Sequence, residues 1–174
     1  MIWRMSNRFD AAALPLADRH YNRQKPGTPQ FCPPGKALVL LANDPANALW
    51  VSSFQRYAKH AWPGAWVNTL FRNEGAGLSS QLILQAVAAT RAAWGDPNDE
   101  GMITFINTNK VRKKRDWGRC YRKAGFEVVG RTKERDYLVL QLLPENMPDA
   151  QWAIGAQASL FNVSLTSEEK NNVR

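Results

Sequence analysis

The sequence contains few of the residues that build metal sites and disulfide frameworks. Its 174 residues include two histidines and two cysteines, and the cysteines, Cys32 and Cys120, lie 88 positions apart. Neither belongs to a CxxC pair or to a Cys/His cluster, which are the spacings that structural zinc sites use. The pattern argues against a zinc site and favours reduced thiols.

Long apolar runs are missing as well. No stretch reaches 18 apolar residues, and the first ten residues lack the apolar centre of a secretion signal. We therefore expect a cytoplasmic protein that does not associate with a membrane. With 44% hydrophobic residues, the chain is long enough to bury a substantial core. We expect a single domain over residues 1–174, with loose termini at 1–9 and 162–174.

The positive charge is concentrated in one segment. The formal charge of the chain is +8, and residues 110–123 carry eight Lys or Arg against one acid, a local charge of +7. Trp117 and Tyr121 lie within this basic segment, and cations interleaved with aromatic rings suit phosphate contacts with a stacked base. A solvated face kept basic for solubility has the same composition, so both alternatives stay open. The candidate nucleic-acid contacts are Lys110, Arg112, Lys113, Lys114, Arg115 and Arg119.

Hydrophobic patterning predicts an α/β arrangement with a mixed sheet. Over residues 79–94, apolar residues recur at spacings of three and four, which is typical of a helix that buries one face. Ser79 or Ser80 can cap the start of this helix, and Gly95 can end it. Five prolines within residues 10–36 favour an irregular segment over a helix or strand. Strands are predicted at 36–42, 48–54, 64–73, 101–107, 127–132 and 136–142, and a short helix at 116–126.

A glycine-rich turn, residues 72–77 (RNEGAG), separates a predicted strand from the predicted long helix. Glycines allow the backbone to approach an anion, and the helix N-terminus supplies amide donors. The spacing resembles R-x-x-G-x-G, the pyrophosphate loop of the GNAT acetyltransferases, although a plain strand-to-helix turn would use the same residue types. The resemblance implies acetyl-CoA or another acyl donor as cofactor. Its candidate ligands are Arg72, Gly75, Ala76, Gly77, Leu78 and Ser79.

A second motif, residues 121–126 (YRKAGF), follows the predicted strand at 101–107. It resembles the aromatic-x-x-x-G-F signature of the same superfamily. Gly125 would end a short helix in the left-handed conformation, and Phe126 would be buried as the chain turns into its next strand. Two such motifs in this order resemble the GNAT-like superfamily. They imply a mixed, mostly antiparallel central sheet flanked by helices in a single domain.

A narrower resemblance is to the phage Mom enzymes, which are related to the GNAT superfamily and modify the exocyclic amine of adenine in DNA, protecting it from restriction. The resemblance rests on scattered motifs between residues 18 and 142: a His-Tyr pair, an arginine at a strand end, serines at a helix entry, an F-x-N strand end and the Tyr-x-x-x-Gly-Phe motif. Carried over to this chain, it gives the candidate catalytic residues His20, Tyr21, Arg72, Ser80, Asn107 and Tyr121.

The same residues have ordinary structural interpretations. His20 can be a hydrogen-bonding structural histidine, Tyr21 a packing residue and Asn107 a turn former. Asn107 also stands where the Mom family has an aspartate, which is implicated there with a tyrosine in holding iron. An amide brings no charge for a cation, so the sequence leaves the metal, iron included, unassigned.

Three functional hypotheses follow. The first is a Mom-type enzyme that modifies a DNA base flipped out of double-stranded DNA. The second is an acetyl-CoA-dependent N-acetyltransferase acting on a small amine or a modified base. The third is a basic DNA-binding module without catalysis. The sequence does not determine the oligomeric state under any of the three hypotheses, and a homodimer is one possibility. Both enzymatic hypotheses require the turn after Arg72 and the basic segment after Asn107 to open onto one groove.

Overall fold

The structure is a computed structural model, and it describes residues 1–54, 61–111 and 116–156. Seven strands and three α-helices lie within these ranges. In chain order they are β1 (Trp3–Ser6), α1 (Leu14–Asp18), β2 (Lys36–Ala42), β3 (Ala48–Phe54), β4 (Trp66–Asn73), α2 (Ser79–Trp94), β5 (Met102–Ile106), α3 (Arg119–Lys123), β6 (Glu127–Arg131) and β7 (Leu138–Leu142), followed by a 3-10 turn, Pro144–Asn146.

The strands form one mixed sheet in the order β1-β2-β3-β4-β5-β7-β6. β4 and β5 run parallel, and the other neighbouring strands pair antiparallel. A parallel pair needs a crossover connection, and α2 provides it between β4 and β5. The predicted mixed, mostly antiparallel sheet flanked by helices is confirmed.

Both faces of the central sheet are covered, which explains its nearly continuous apolar strands. Alternate residues of β2 point to opposite sides: Leu38 and Leu40 belong to the core beneath α2 and α3, and Val39 and Leu41 pack with α1. No helix in the described parts of the chain is long and apolar enough to cross a membrane.

The start of α2 differs from the prediction. Residue Leu78, rather than Ser79 or Ser80, occupies the N-cap position, and it makes no side-chain capping bond. The Ser79 hydroxyl instead accepts a hydrogen bond of 2.9 Å from the Asn73 side chain, because the glycine turn brings this asparagine under the helix end. The C-terminus is as predicted, with Gly95 at φ +83°.

Two expectations for the N-terminal region are wrong. Residues 1–9 are not loose, because β1 pairs with β2 and Trp3 is fully buried, donating from its indole nitrogen to the Leu82 carbonyl at 2.8 Å. Residues 10–36 are not wholly irregular, because α1 forms with Pro15 in its first turn, where a missing amide donor costs nothing. The predicted loose end at 162–174 lies outside the described residues.

A buried hydrogen-bond chain joins α2 to the sheet. The Trp50 indole donates to the Ser52 hydroxyl at 2.7 Å, and the Thr90 hydroxyl donates to the Ala86 carbonyl at 2.8 Å. The Ser52 and Thr90 hydroxyls lie 2.9 Å apart. Since Thr90 uses its proton on Ala86, Ser52 must donate to Thr90. The direction of every bond is therefore fixed, and these polar groups are satisfied inside the core.

The end of α3 confirms the second sequence motif. Gly125 has φ +91° and follows the last helical turn, and Phe126 is 2% exposed. The Phe126 ring packs edge-on against Tyr121 at 5.3 Å between centroids. The motif therefore folds a short helix back onto the core, which places Tyr121 under the sheet.

Gly101 precedes β5 and is the sharpest steric constraint in this region. Its φ is +60°, and a Cβ built on it would lie 2.2 Å from the Leu142 carbonyl oxygen. We expect Gly101→Ala to lower the free energy of unfolding by about 2–4 kcal/mol, because left-handed strain and a backbone clash add together. Urea denaturation measures this.

Gly27→Ala is the matched control, because Gly27 also has positive φ but a Cβ there would meet no atom within 4 Å. We expect it to cost only the strain, about 1–2 kcal/mol. Equal losses for the two variants would contradict the assigned clash.

Candidate active site

The sheet divides between its two parallel strands. The last paired residues are Asn68 and Thr104, although β4 continues to Asn73 and β5 to Ile106. Beyond the pair the two strands diverge, and the residues of both that follow it line one cavity. The division therefore creates a cleft in the middle of an otherwise continuous sheet.

A β-bulge marks the point where the strands separate. Val51 of β3 lies opposite Leu70 and Ser52 lies opposite Asn68, so Thr69 is an extra residue in β4. The Asn68 side-chain amide donates to the carbonyls of Val51 and Leu70 at 3.1 and 3.0 Å. These carbonyls lose their regular ladder partners at a bulge, and Asn68 replaces them.

Tyr121 of α3 lies at the base of this cleft. Its hydroxyl donates to Asn68 Oδ1 at 2.5 Å, and Phe71 packs edge-on against its ring. Burial raises the pKa of Tyr121 well above its usual range, against the weaker opposite effect of a hydrogen bond with Thr104. The phenol therefore stays protonated, and one polar cluster ties β4, β5 and α3 together.

The cavity has a volume of about 1520 Å³, more than the ~300–1,000 Å³ of pockets for drug-sized ligands. The end of β4, the N-terminus of α2 and the described residues of the basic segment all contribute to its lining. The expectation that the turn after Arg72 and the segment after Asn107 share a groove is confirmed. Predicted site residues on its wall are His20, Tyr21, Arg72, Gly77, Leu78, Ser79, Ser80, Lys110, Arg119 and Tyr121.

The glycine turn is held by Asn73. Asn73 Oδ1 accepts from the amides of Gly75 and Ala76 at 3.1 and 2.9 Å, and its Nδ2 donates to the Gly77 carbonyl at 2.8 Å. Gly75 and Ala76, which the sequence motif assigns to an anion, thus already have an intramolecular acceptor for their amides, and neither lines the cavity.

The N-terminus of α2 provides the remaining donors. Helical bonding begins with the amides of Gln81 and Leu82, which donate to the Leu78 carbonyl. Within the described residues, the amides of residues 77–80 have no intramolecular acceptor. Residues 77–80 all line the cavity, so four free amides and the positive end of the helix dipole lie at its wall, an arrangement that favours an anion.

Glu74 joins the turn to the N-terminal region. Arg19 donates to both of its carboxylate oxygens, at 2.8 and 2.7 Å, and Arg72 Nε donates to Oε1 at 2.5 Å. Arg72 also donates to the Arg19 carbonyl at 2.5 Å. The bond with Arg19 is the main reason that the pKa of Glu74 falls to about 2. Arg72, predicted to bind an anion, thus has its guanidinium engaged in this ion-pair cluster.

His20 packs on the cleft wall next to this cluster. Burial, with a smaller contribution from the Arg72 cation, lowers the pKa of His20 to about 4. Its ring lies 4.4 Å from the Tyr21 ring, at an angle of 33°. The backbone amide of Asn22 donates to His20 Nδ1 at 3.3 Å. At neutral pH, His20 is therefore an uncharged imidazole with one nitrogen already engaged.

Tyr21 lines the cleft and contacts the backbone of Asn107. Burial raises the pKa of Tyr21 to about 12, and a hydrogen bond with the Asn107 backbone acts in the opposite direction. The Asn107 side chain is buried and its Oδ1 accepts from the Asn109 amide at 3.1 Å. Asn107 does not line the cavity, so its side chain shapes the turn after β5, and only its backbone approaches a candidate catalytic residue.

The described residues of the basic segment give one part of the cleft wall, which we call the rim, a positive charge. Lys110, Arg119 and Lys123 line it, and Trp117, 38% exposed, lies among them. Asp116, the acid on this wall, forms an ion pair with Arg122. The predicted contacts Arg112, Lys113, Lys114 and Arg115 lie outside the described residues.

No metal centre is evident in the part of the chain that the structure describes. Within residues 1–54, 61–111 and 116–156, there is no group of three or more His, Cys, Asp or Glu side chains that could hold an ion. Among the predicted site residues, the donors in the cleft are the neutral His20 and two protonated tyrosines.

Sequence reasoning missed four residues that shape the site. Asn68, Thr104, Asn73 and Glu74 were not predicted as site residues. Asn68 had a recognisable signal, because it is a polar residue within an apolar run, and such residues are buried only with hydrogen-bond partners. Glu74 gave none, since its partner Arg19 is 55 positions away.

Comparison with solved structures identifies the fold. The aminoglycoside acetyltransferase AAC(6')-Ib, in complex with coenzyme A and kanamycin, matches with a TM-score of 0.57 at 19% identity, over 83% of this chain and 95% of that one. An acyl-CoA N-acyltransferase from Pseudomonas aeruginosa matches with a TM-score of 0.51 at 18% identity, over 81% and 97%. A protein assigned to the GNAT family from Desulfovibrio desulfuricans gives 0.52 at 16%, over 81% and 97%. The chain therefore has the GNAT acetyltransferase fold.

Sequence comparison adds no closer assignment. No protein-family model matches this chain, and no curated protein does. The likeness is one of fold, at identities below one in five.

The ion-pair cluster around Glu74 predicts a pH-dependent contribution to stability. The folded-state pKa of Glu74 is about 2 and its ordinary value is 4.5, so the contribution is present above about pH 4.5 and is lost as the pH falls towards 2. We expect Glu74→Gln to be less stable than the wild type at pH 7 and the difference to shrink between pH 5 and pH 2.5. Urea denaturation across this range measures it.

Glu134→Gln serves as the control, because Glu134 is exposed in the turn between β6 and β7. We expect no pH-dependent difference for this variant. A Glu74→Gln difference that stays constant down to pH 2.5 would show that the ion pairs do not contribute as described.

Proposed function

We propose that this protein is an N-acyltransferase that takes its acyl group from a coenzyme A thioester. The observation that carries the proposal is the cleft between β4 and β5, which brings helix-terminal amides and a buried phenol to one cavity. The fold likeness to an acyl-CoA N-acyltransferase and to a coenzyme A complex of an acetyltransferase supports it.

The residues of the cleft fit coenzyme A. The amides of residues 77–80 suit its phosphates, and Asn73 leaves them available by binding the two preceding amides itself. The diverging strands β4 and β5 expose backbone groups that can pair with the amides of an extended pantetheine arm. Lys110 and Arg119 add positive charge at the rim.

The chemistry requires a polarised thioester carbonyl and a neutral amine. The two tyrosines in the cleft have raised pKa values, so they serve as hydrogen-bonding groups and not as bases at neutral pH. When bound, coenzyme A supplies the activated acyl group and a thiolate leaving group. The protein's contribution is to hold the acyl carbon and the amine together and to exclude water from the cleft.

The phosphate site predicts an effect of charge at Ser80. Ser80→Asp places a carboxylate in the first turn of α2, where it favours the free helix but repels a phosphate. We expect coenzyme A to bind at least about tenfold more weakly, a loss of ~1.4 kcal/mol. Isothermal titration calorimetry with the wild type and the variant measures this.

Ser80→Asn is the neutral control of the same size and is expected to bind like the wild type. S-acetyl pantetheine, which has no phosphate, should bind equally to the Asp and Asn variants. Undetectable coenzyme A binding by the wild type, or equal binding by both variants, would contradict the proposed phosphate site.

A second candidate function is Mom-type modification of adenine in DNA. The specific observation that favours it is the cationic rim, where exposed Trp117 lies among Lys110, Arg119 and Lys123 beside the cleft. Phosphate contacts and a ring for stacking are what a flipped base needs at the mouth of an active site.

DNA binding through this rim predicts a salt dependence. We expect the double variant Arg119→Gln/Lys123→Gln to bind duplex DNA more weakly, with the slope of log K against log salt smaller by about 1.8, because each phosphate contact contributes ~0.9. Fluorescence anisotropy at several salt concentrations measures it, with Lys133→Gln, in the turn between β6 and β7, as control.

Mass spectrometry of nucleosides then separates the two functions. A new adenine adduct in DNA from cells that express the protein would establish the second function. Unmodified DNA combined with turnover of acetyl-CoA in the presence of amines would establish the first. If Arg119→Gln/Lys123→Gln bound DNA like the wild type, the rim would not be a DNA-binding surface, and the second candidate would lose its support.

A further inference from the structure

The hydrogen bonding of His20 fixes which of its ring nitrogens carries the proton. The Asn22 amide donates to Nδ1 at 3.3 Å, so Nδ1 must be unprotonated to accept. A neutral imidazole has one protonated nitrogen. The proton is therefore on Nε2, which makes Nε2 a donor and leaves Nδ1 without a free lone pair.

The position of His20 brings this donor to the place where the sheet divides. His20 lines the large cleft, and together with Thr69 and Leu70 it also lines a second cavity of about 570 Å³. Thr69 is the bulge residue of β4. His20 and the bulge residue Thr69 therefore line both cavities together.

The surroundings keep the imidazole in this state. Arg72 lies close enough to oppose a second positive charge, and Glu74 and the Arg19 carbonyl hold the Arg72 guanidinium in place. The Tyr21 ring packs against one side of the imidazole, and Tyr21 is itself uncharged at neutral pH. The groups around His20 therefore disfavour both protonation and rotation of the ring.

We propose that His20 acts in the cleft as a neutral hydrogen-bond donor, through Nε2–H, to the carbonyl oxygen of the acyl group being transferred. The proposal deepens the proposed N-acyltransferase function and rests on it. It assigns His20 the role of an electrophilic catalyst. It excludes the role of general base, because Nδ1, the ring nitrogen that could accept a proton, already accepts the Asn22 amide. A neutral donor stabilises developing negative charge without having to titrate.

In this step the amine nitrogen forms a bond to the acyl carbon while the carbonyl π electrons move onto the oxygen. His20 Nε2–H stabilises the resulting negative charge and keeps its own proton. When the carbonyl re-forms, the carbon–sulfur bond breaks and its electron pair leaves with the sulfur. The proton lost by the amine nitrogen ends on that sulfur through solvent, so the products are an amide and a thiol.

The tautomer can be measured without any assay of activity. The chain has two histidines, His20 and His60, so a long-range ¹H–¹⁵N spectrum of protein labelled on histidine nitrogen contains two rings, and His60→Gln assigns them. We expect His20 to be neutral with its proton on Nε2 between pH 5.5 and pH 8. A proton on Nδ1, or a charged ring at pH 6, would overturn the proposal.

Two amide substitutions test the role. In His20→Gln the side-chain amide reaches the position of Nε2 and keeps a donor there, whereas in His20→Asn it reaches only that of Nδ1. We expect kcat to fall by about 10²–10³ for His20→Asn, as when an oxyanion donor is removed, and by about tenfold or less for His20→Gln. Equal losses in the two variants would indicate a base or a purely structural role, and both would overturn the proposal.

The infrared carbonyl stretch of bound ¹³C-acetyl-CoA gives a direct readout of the hydrogen bond. It should lie at lower frequency in the wild type and in His20→Gln than in His20→Asn, and an unchanged frequency would overturn the proposal. Failure of the proposed function is distinguishable, because it would appear as absent acetyl-CoA binding and turnover in the wild type. If the wild type turned over acetyl-CoA but His20 carried its proton on Nδ1, the role assigned to His20 would be wrong and the proposed N-acyltransferase function would remain.

Discussion

The hydrogen bonds of Asn68 are the constraint on which the rest of the site depends. A sheet that divides in its middle leaves backbone groups without partners, and buried groups of that kind are costly. Asn68 satisfies two carbonyls around the bulge with its amide nitrogen and binds the Tyr121 hydroxyl with its oxygen. One side chain thereby stabilises the divided sheet and positions the phenol beneath it.

The wall formed by the N-terminal region works by a different principle. The Glu74 carboxylate accepts hydrogen bonds from both Arg19 and Arg72. Arg72, the cation that affects the pKa of His20, belongs to this cluster. The result is that the neutral His20 lies beside a cluster in which two arginines share one carboxylate. In the proposed acyl transfer, such an arrangement would favour a carbonyl oxygen that becomes negative, because the donors are already oriented before the charge appears.

Much of the fold could be predicted from the sequence, because local patterns determine β2, β3 and α2, whose bounds match those of the structure. β1 and α1 could not, since a short strand is stabilised by its neighbour in the sheet and not by its own pattern. In the site, the two glycine motifs placed Tyr121 and the helix end together. The Arg19–Glu74 pair follows from a tertiary contact across 55 positions, which no local spacing encodes. The tautomer of His20 follows from a contact with Asn22 two residues away, but it depends on the exact geometry of that turn, which residue types alone do not specify.

The hydrogen bonds that Asn73 makes within the glycine turn order the turn before any ligand binds. A flexible anion loop must give up conformational freedom when its ligand arrives, and that loss reduces affinity. Here four hydrogen bonds from a single side chain fix the turn beforehand. The entropy of ordering is therefore lost during folding, and an anion that bound to the amides of residues 77–80 would meet a turn that is already ordered.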